Sequence, residues 1–295
     1  MRKVIVICGP TAVGKTKISI ELAKTLNTEI ISGDSVQVFR GLDIGSAKIK
    51  PDEKQGIVHH LIDIKDIDET YDVAQFQTAA RKLIDELKTP LIVGGTGLYI
   101  KAVIDNYEFD SPAYNINDEK IYELESNEMI HDKLKIADMK TALKIHPNNR
   151  RRVIRALTQA KHGLRSQIQK KDERLYDALV IYLSMPREKL YERINLRVDQ
   201  MLDEGLVEEA KAIYNQAKKL NILGYRELNQ YFDGELTFDQ AVDEIKKKTR
   251  HLAKRQETWF KHQIAATMVE VDPNNINVAI KKVIELASVF MGEQK

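Results

Sequence analysis

The sequence predicts an α/β protein: a parallel sheet covered on both faces by helices, with a small helical insertion. Three observations carry that expectation. The β-branched runs VIVIC (4–8), TEIISGDS (28–35), TPLIVGG (89–95) and ALVIYLSM (178–185) are nearly continuous rather than alternating, as strands buried on both faces are. Helical periodicity follows most of these runs, the pattern of βαβ units. The stretch CGPTAVGKTKIS (8–19) fits GxxxxGK[ST] from Gly9 to Thr16 between strand and helix, the context in which that spacing marks a phosphate-binding loop rather than a Gly-rich turn.

Taken in order, VIVIC is the first strand, and KTKISIELAKTL places Ile18, Leu22 and Leu26 on one helix face. The second strand closes at Asp34. A third runs into Gly94-Gly95 and then the helical pattern GLYIKAVI, completing the first part of the core at residues 1–106. Residues 107–145 carry many acids and broken helical patterns and are assigned to the insertion. Residues 146–295 are the remainder of the core, with its basic helices. There Pro186 opens REKLYERINLRVDQML, whose Leu190, Ile194, Val198 and Met201 or Leu202 make one apolar stripe, stopped at Asp203-Glu204-Gly205. A last long helix is predicted from Val242 to Ile264 with Ile245, Leu252, Trp259 and Phe260 inward. In such folds ligands gather at the carboxyl ends of the strands.

A chain of 295 residues, 43% hydrophobic, can build a core without staples. Its one cysteine, Cys8, lies in an apolar strand, which excludes an internal disulfide and points to a reducing, cytoplasmic setting. The apolar run at the start is too short for a membrane span or signal peptide, so no membrane partner is expected. Net charge is only +2, but charge is segregated. From Lys144 to Arg174 there are ten Lys or Arg against two acids, and KKKTRHLAKRQ (246–256) has no acid. The carboxylates cluster in Asp63–Asp72 and Asp105–Asp132. Two such runs fit a face for a polyanion such as nucleic acid, and equally a solvated helix surface. His59 and His60 are adjacent and cannot chelate as an i, i+4 pair does, so both are read as structural; His146 is read as a turn residue.

The loop offers successive backbone N–H groups and a helix N-terminus to an anion, Lys15 adds a point charge, and Thr16 can ligate Mg2+. Nucleotide hydrolases and kinases usually end a second strand with an acid that organises metal and water. LIVGG has none. The nearest carboxylate is Asp34, which on that edge can take a proton from a nucleophile; its other reading is a turn aspartate or helix cap.

The ordered blocks GPTAVGKT, SGDSVQVFRGLDIGSAK, VHHLID, GGTGLYIKA, IHPNNRRRVIRAL, GYREL and RHLAKRQETWF resemble those of the bacterial tRNA dimethylallyltransferases, from the first strand to about residue 262. The resemblance implies a P-loop NTPase-like sheet and transfer of a dimethylallyl group from dimethylallyl diphosphate to N6 of the adenosine 3′-adjacent to the anticodon of tRNA. It implies that Gly9, Pro10, Thr11, Ala12, Val13, Gly14, Lys15 and Thr16 hold the diphosphate with Mg2+ at Thr16, and that Arg197 is a further diphosphate ligand. Asp34 resembles the general base. Ser35, Val36 and Gln37 line the base pocket, Gln37 offering both donor and acceptor, with Thr96 nearby. The resemblance further implies that Arg150, Arg151, Arg152 and Arg155, with Gly224, Tyr225 and Arg226, grip the anticodon stem-loop. Arg250, Lys254, Arg255 and Gln256 fit either a phosphate track or a brace. A monomer is expected. The link before GYREL is shorter than usual in the family, and residues 265–295 carry no signature. Other readings are a P-loop small-molecule kinase, an enzyme prenylating free adenosine nucleotides, and a non-catalytic RNA-binding module.

Overall fold

The computed structural model describes residues 1–107, 120–160, 173–217 and 221–292, which fall into two compact units, 1–105 with 174–295 and 106–173. In the first unit the strands are β1 (Lys3–Cys8), β2 (Ile30–Ser32), β3 (His59–His60), β4 (Leu91–Gly94), β5 (Asp177–Ser184) and β6 (Thr267–Glu270). They form one parallel sheet in the order β3-β2-β4-β1-β5-β6. β1 is central, and its alternation explains the continuous apolar run. Ile5 and Ile7 pack into one layer with Ile18 and Leu22 of α1 (Lys15–Leu26), while Val4, Val6 and Cys8 pack into the other with Phe76 of α2 (Val73–Glu86) and Ile100 of α3 (Gly97–Ile104). Cys8 is buried, and loss of hydration pushes its thiol up to about 12, so it is an inert core residue.

Register places the site. Cys8 pairs with Gly94, and Ser32 with Val93, so β1, β2 and β4 end at one edge. The segments that follow them, from Gly9, Gly33 and Gly95, therefore leave the sheet side by side, at its carboxyl edge.

Three differences from the sequence expectation concern elements rather than class. Residues beyond 265, read as core with no element assigned, supply two: β6 extends the sheet, and α12 (Ile276–Met291) packs Ala279, Val283 and Ala287 into the layer with α1. The long helix, α11 (Phe238–Gln263), starts at Phe238 because Thr237 and Gln240 form a capping box. Within it Ile245 and Phe260 are buried, while Leu252 and Trp259 are half-buried.

The second unit, 106–173, has its own core of Tyr122, Ile130, Leu134, Ile145, Val153, Ile154 and Leu157. Its helices are α4 (Asn127–Ala137), α5 (Met139–Ala142) and α6 (Arg150–Ala160). The sequence reading closes the insertion at 145 and assigns the Arg-rich helix to the larger unit. The structure corrects that boundary: Val153, Ile154 and Leu157 of α6 fill the same small core as Ile130 and Leu134, which keeps α6 in the insertion. Arg150 anchors it, donating to the Glu125 carbonyl at 2.7 Å and to Asn127 Oδ1 at 3.2 Å.

Candidate active site

The loop between β1 and α1 is shaped by its glycines. Gly9 lies against β5, where a Cβ would sit 2.6 Å from the Leu183 carbonyl oxygen. Gly14, at φ 106°, turns the chain into α1. Pro10 and the Val13 side chain are buried, so Val13 serves the core and offers an anion only its backbone; Thr11, Ala12, Gly14, Lys15 and Thr16 face a cavity. Lys15 Nζ donates to the carbonyls of Gly9 (3.0 Å) and Pro10 (2.8 Å). Burial first, and the positive charge of Arg197 second, push its pKa down to about 8.

That cavity, about 1020 Å³, is lined on another side by Asp34, Ser35, Val36 and Gln37. Asp34 realises both of its sequence readings. Its Oδ1 accepts from the amides of Val36 (2.8 Å) and Gln37 (3.3 Å), the turn role. Its Oδ2 has no hydrogen-bond partner among the described residues, and the residue faces the same space as Lys15. Gln37 differs from expectation. Its Nε2 donates to the carbonyls of Ser46 and Ala47, both at 3.3 Å, so its donor is spent and only Oε1, with a long contact from Ser32 Oγ, remains as an acceptor. Thr96 starts α3 and its hydroxyl lies 3.4 Å from Ser35 Oγ.

Arg197 is on α7 (Arg187–Asp203), in which Leu190, Ile194 and Val198 are buried. Half-buried, it lines the cavity and donates to the Ala47 carbonyl at 3.4 Å. Burial lowers its pKa, opposed by the charges of Glu53 and Asp34.

The sequence reading missed three residues here, Arg193, Glu209 and Tyr71, and left Gln256 between a phosphate track and a brace. Arg193, one turn before Arg197, donates through Nε to the Ala12 carbonyl at 2.9 Å. Gln256 on α11 joins two loops: its Oε1 accepts from Thr11 N at 3.1 Å and its Nε2 donates to the Gly95 carbonyl at 3.0 Å. Glu209, on α8 (Leu206–Ala212), accepts from three successive amides, Asp43 (3.0 Å), Ile44 (2.9 Å) and Gly45 (3.0 Å), and from the Tyr225 hydroxyl at 2.6 Å. Tyr71 lines the cavity with a buried, unpartnered hydroxyl that burial pushes up to about 12. Glu209 hid in the ordinary helical stretch VEEA.

Within the GYREL block, Tyr225 needs correction. Beyond the short α9 (Tyr214–Ala217), Tyr225 opens α10 (Tyr225–Phe232) and is 0% exposed; a Cβ on Gly45 would come within 2.5 Å of its ring. It is a brace for the 43–45 segment, not a surface for RNA. Arg226 pairs with the buried Glu227 and donates to Asn221 Oδ1 at 3.1 Å, and Glu227 also accepts from Lys248 at 3.0 Å and from the Gly224 amide at 2.8 Å. Gly224 lines the cavity. The second basic run resolves as a brace on its inner side: Gln256 clips the loops, Trp259 packs where Gly97 has no Cβ, and Arg250 donates to Asn195 Oδ1 at 2.6 Å, while Lys254 and Arg255 are exposed. In the second unit Arg151, Arg152 and Arg155 are exposed on α6.

His59 and His60 are structural, contacting the Ile57 carbonyl at 2.9 Å and Glu29 at 2.5 Å, and His146 Nδ1 accepts from Asn148 N within a turn. Among the described residues no group of three or more His, Cys, Asp or Glu side chains forms a metal cage, and no helix is long and apolar enough to cross a membrane. The donor set does fit Mg2+ held in another way. That ion commonly takes one or two protein oxygens with substrate phosphates and waters, and the exposed Thr16 hydroxyl faces the cavity beside the loop amides.

Residues 37–263 match the family model for IPP transferase. The chain is 48% identical over 287 residues to a tRNA dimethylallyltransferase of Anoxybacillus flavithermus, covering 93% of this chain and 92% of that one. It is 44% identical to the tRNA dimethylallyltransferase of Bacillus subtilis, covering 95% and 94%. Among solved structures it resembles the full-length tRNA isopentenylpyrophosphate transferase of Bacillus halodurans, with TM-score 0.74, 42% identity and coverage of 99% and 96%. A eukaryotic dimethylallyltransferase acting on tRNA superposes with TM-score 0.86 at 27% identity, covering 100% of this chain and 81% of that one.

Proposed function

The chain belongs to the IPP transferase family, and on that premise we propose that its cavity is where a dimethylallyl group passes from dimethylallyl diphosphate to N6 of the adenosine 3′-adjacent to the anticodon. It is a prenyl transferase that modifies tRNA. One observation supports the site: a single cavity is lined both by the phosphate loop and by Asp34, with cations at the loop and a carboxylate oxygen unspent beside it.

In this reading the loop amides, Lys15 and Arg197 hold the diphosphate, which leaves with the electron pair of the allylic C–O bond as the bond from N6 to the allylic carbon forms. Fixed donors stabilise the growing charge on the leaving oxygen without reorganising. Mg2+ held through Thr16 supplies further neutralisation of that charge when bound. Lys15 is already partly desolvated and withdrawn onto the Gly9 and Pro10 carbonyls, so an anion that favours its charged form gains from it.

The acceptor nitrogen is a weak nucleophile because its lone pair is delocalised into the ring. Asp34 takes its proton through Oδ2, oriented because Oδ1 is held by two amides. Gln37, with its donor occupied, presents an acceptor that suits an amino group and not a ring carbonyl. An anticodon-loop adenosine reaches such a pocket by swinging out of its stack, at modest cost in a single-stranded loop. In the second unit Arg151, Arg152 and Arg155 contact the RNA backbone, and Thr96 orders Ser35 at the pocket.

The test is incubation of the protein with labelled dimethylallyl diphosphate and, separately, unmodified tRNA, AMP and ATP. Label is expected in tRNA at N6 of that adenosine. Label in AMP alone, or transfer of phosphate from ATP, overturns the proposal in favour of a nucleotide prenyltransferase or a kinase.

A further inference from the structure

We infer that Arg193 is a third cation of the diphosphate site, one that reads the second phosphate and so separates diphosphate donors from monophosphates. The inference rests on the reading of the cavity given above and adds a residue to it. Arg193 and Arg197 are four apart on α7, hence on one face of the helix, and both line the cavity.

Arg193 is fixed by one end. Its Nε donates to the Ala12 carbonyl at 2.9 Å, and Ala12, at φ 64°, is the loop's one non-glycine residue in the left-handed region. The bond uses a loop carbonyl and leaves the loop amides for an anion. The two terminal nitrogens of Arg193 have no hydrogen-bond or ion-pair partner among the described residues. A guanidinium anchored by Nε with a free fork is the arrangement that engages two phosphate oxygens at once. Lys15, by contrast, is a point charge drawn onto the Gly9 and Pro10 carbonyls.

Charge points the same way. Lys15, Arg193 and Arg197 converge on the cavity, Arg193 and Lys15 each within repulsive reach of Arg197, and the carboxylate that faces the loop is Asp34. Glu53 and Glu204 also act on Arg197, but burial, with Arg193, outweighs them and Asp34 together, and bringing three cations together costs stability that a ligand with several negative charges of its own offsets. A monophosphate satisfies the loop amides and Lys15; a diphosphate carries enough charge, spread over enough length, to occupy the arginines as well.

The experiment is calorimetric titration of the intact protein, with magnesium present and tRNA absent, using inorganic pyrophosphate and, separately, orthophosphate. Arg193→Gln is expected to weaken pyrophosphate binding by about tenfold or more, the size of one lost charge-assisted hydrogen bond, and to change orthophosphate binding by less than about threefold. Arg193→Lys, which keeps the charge and loses the fork, is expected to weaken pyrophosphate alone and by a smaller factor. A thermal melt of each variant separates loss of binding from loss of fold. Unchanged pyrophosphate affinity in both variants, or equal losses for the two anions, overturns the assignment. Transfer is not measured, so a chain that binds pyrophosphate selectively through Arg193 yet prenylates no RNA refutes the proposed function and leaves Arg193 in its place.

Discussion

At the cavity's phosphate end, eight consecutive residues, Gly9 to Thr16, supply nearly everything: amides, a lysine, a hydroxyl and the glycines that shape the turn. At the Asp34 end the same job is spread over distant segments. Asp34 is held by amides of Val36 and Gln37; Gln37 is held by carbonyls of Ser46 and Ala47; the segment leading into them is held by Glu209, and Glu209 is itself held by Tyr225. One end is local backbone geometry, the other a relay of side chains. The difference predicts that the loop keeps its shape through changes outside its motif, even those at Arg193 or Arg197 that weaken an anion's grip, whereas the geometry of the second end is broken from a distance.

The largest effect is at the end of that relay. Asp34→Asn keeps an acceptor for the two amides and removes the base, so kcat is expected to fall ~10²–10⁴-fold while tRNA binding persists. Single-turnover kinetics with a tRNA binding assay measure it, and normal turnover in the variant removes Asp34 from the chemistry. Next comes Glu209→Ala, which strands three amides and a buried tyrosine hydroxyl, each worth about 1–3 kcal/mol when buried and fully unmet. Solvent will satisfy the more exposed amides, so a loss of about 2–3 kcal/mol in denaturant unfolding is expected. Inorganic pyrophosphate binding should survive it. Equal damage to pyrophosphate binding would mean that the two ends are one structure and the contrast drawn here is false.

The same contrast explains what could be read from the sequence. The phosphate loop was legible because its chemistry lies in residue spacing, and the sheet because buried strands are written as apolar runs. Asp34 was legible as an acid after a strand. Tyr225 was visible as part of a block, but its burial was not, since nothing local says that Tyr225 fills the space left by Gly45. Arg193 and Glu209 look like any polar residue on an amphipathic helix; only the fold brings one to Ala12 and the other to Gly45. The carboxyl-terminal strand has a single buried residue, Val269, and α12 carries its buried face on Ala279, Val283 and Ala287, where two of three are too small to mark the stripe. The insertion boundary was drawn from the charges of α6 rather than from Val153, Ile154 and Leu157 behind them.

Gln256 belongs to neither end, since it ties the Thr11 amide to the Gly95 carbonyl across them. In Gln256→Glu the donor to Gly95 becomes a carboxylate facing a carbonyl, close to where an anion is to bind. A loss of about tenfold in kcat/KM is expected, carried by the Michaelis constant for the diphosphate as well as by kcat. Steady-state kinetics with the donor varied will show it. A loss in kcat alone would assign the clip to the acceptor end.

The smallest effect tests the phosphate end by pH. Lys15 in the folded protein has its pKa lowered from 10.5 to about 8, so between those values the unfolded chain holds a proton that the folded chain has released. Stability of the ligand-free protein therefore gains a contribution that rises with pH through this window and is absent below about 8, where folding confines a charged, partly desolvated lysine. An anion reverses the sense: bound diphosphate favours the protonated lysine, so binding takes up a proton above about pH 8 and the contribution of Lys15 to affinity declines as pH rises. Titrating inorganic pyrophosphate in buffers of different ionisation heat reads that proton directly, and Lys15→Met should abolish its uptake. Uptake that persists in the variant would remove Lys15 as its source, since the guanidinium groups of Arg193 and Arg197 stay protonated through this range.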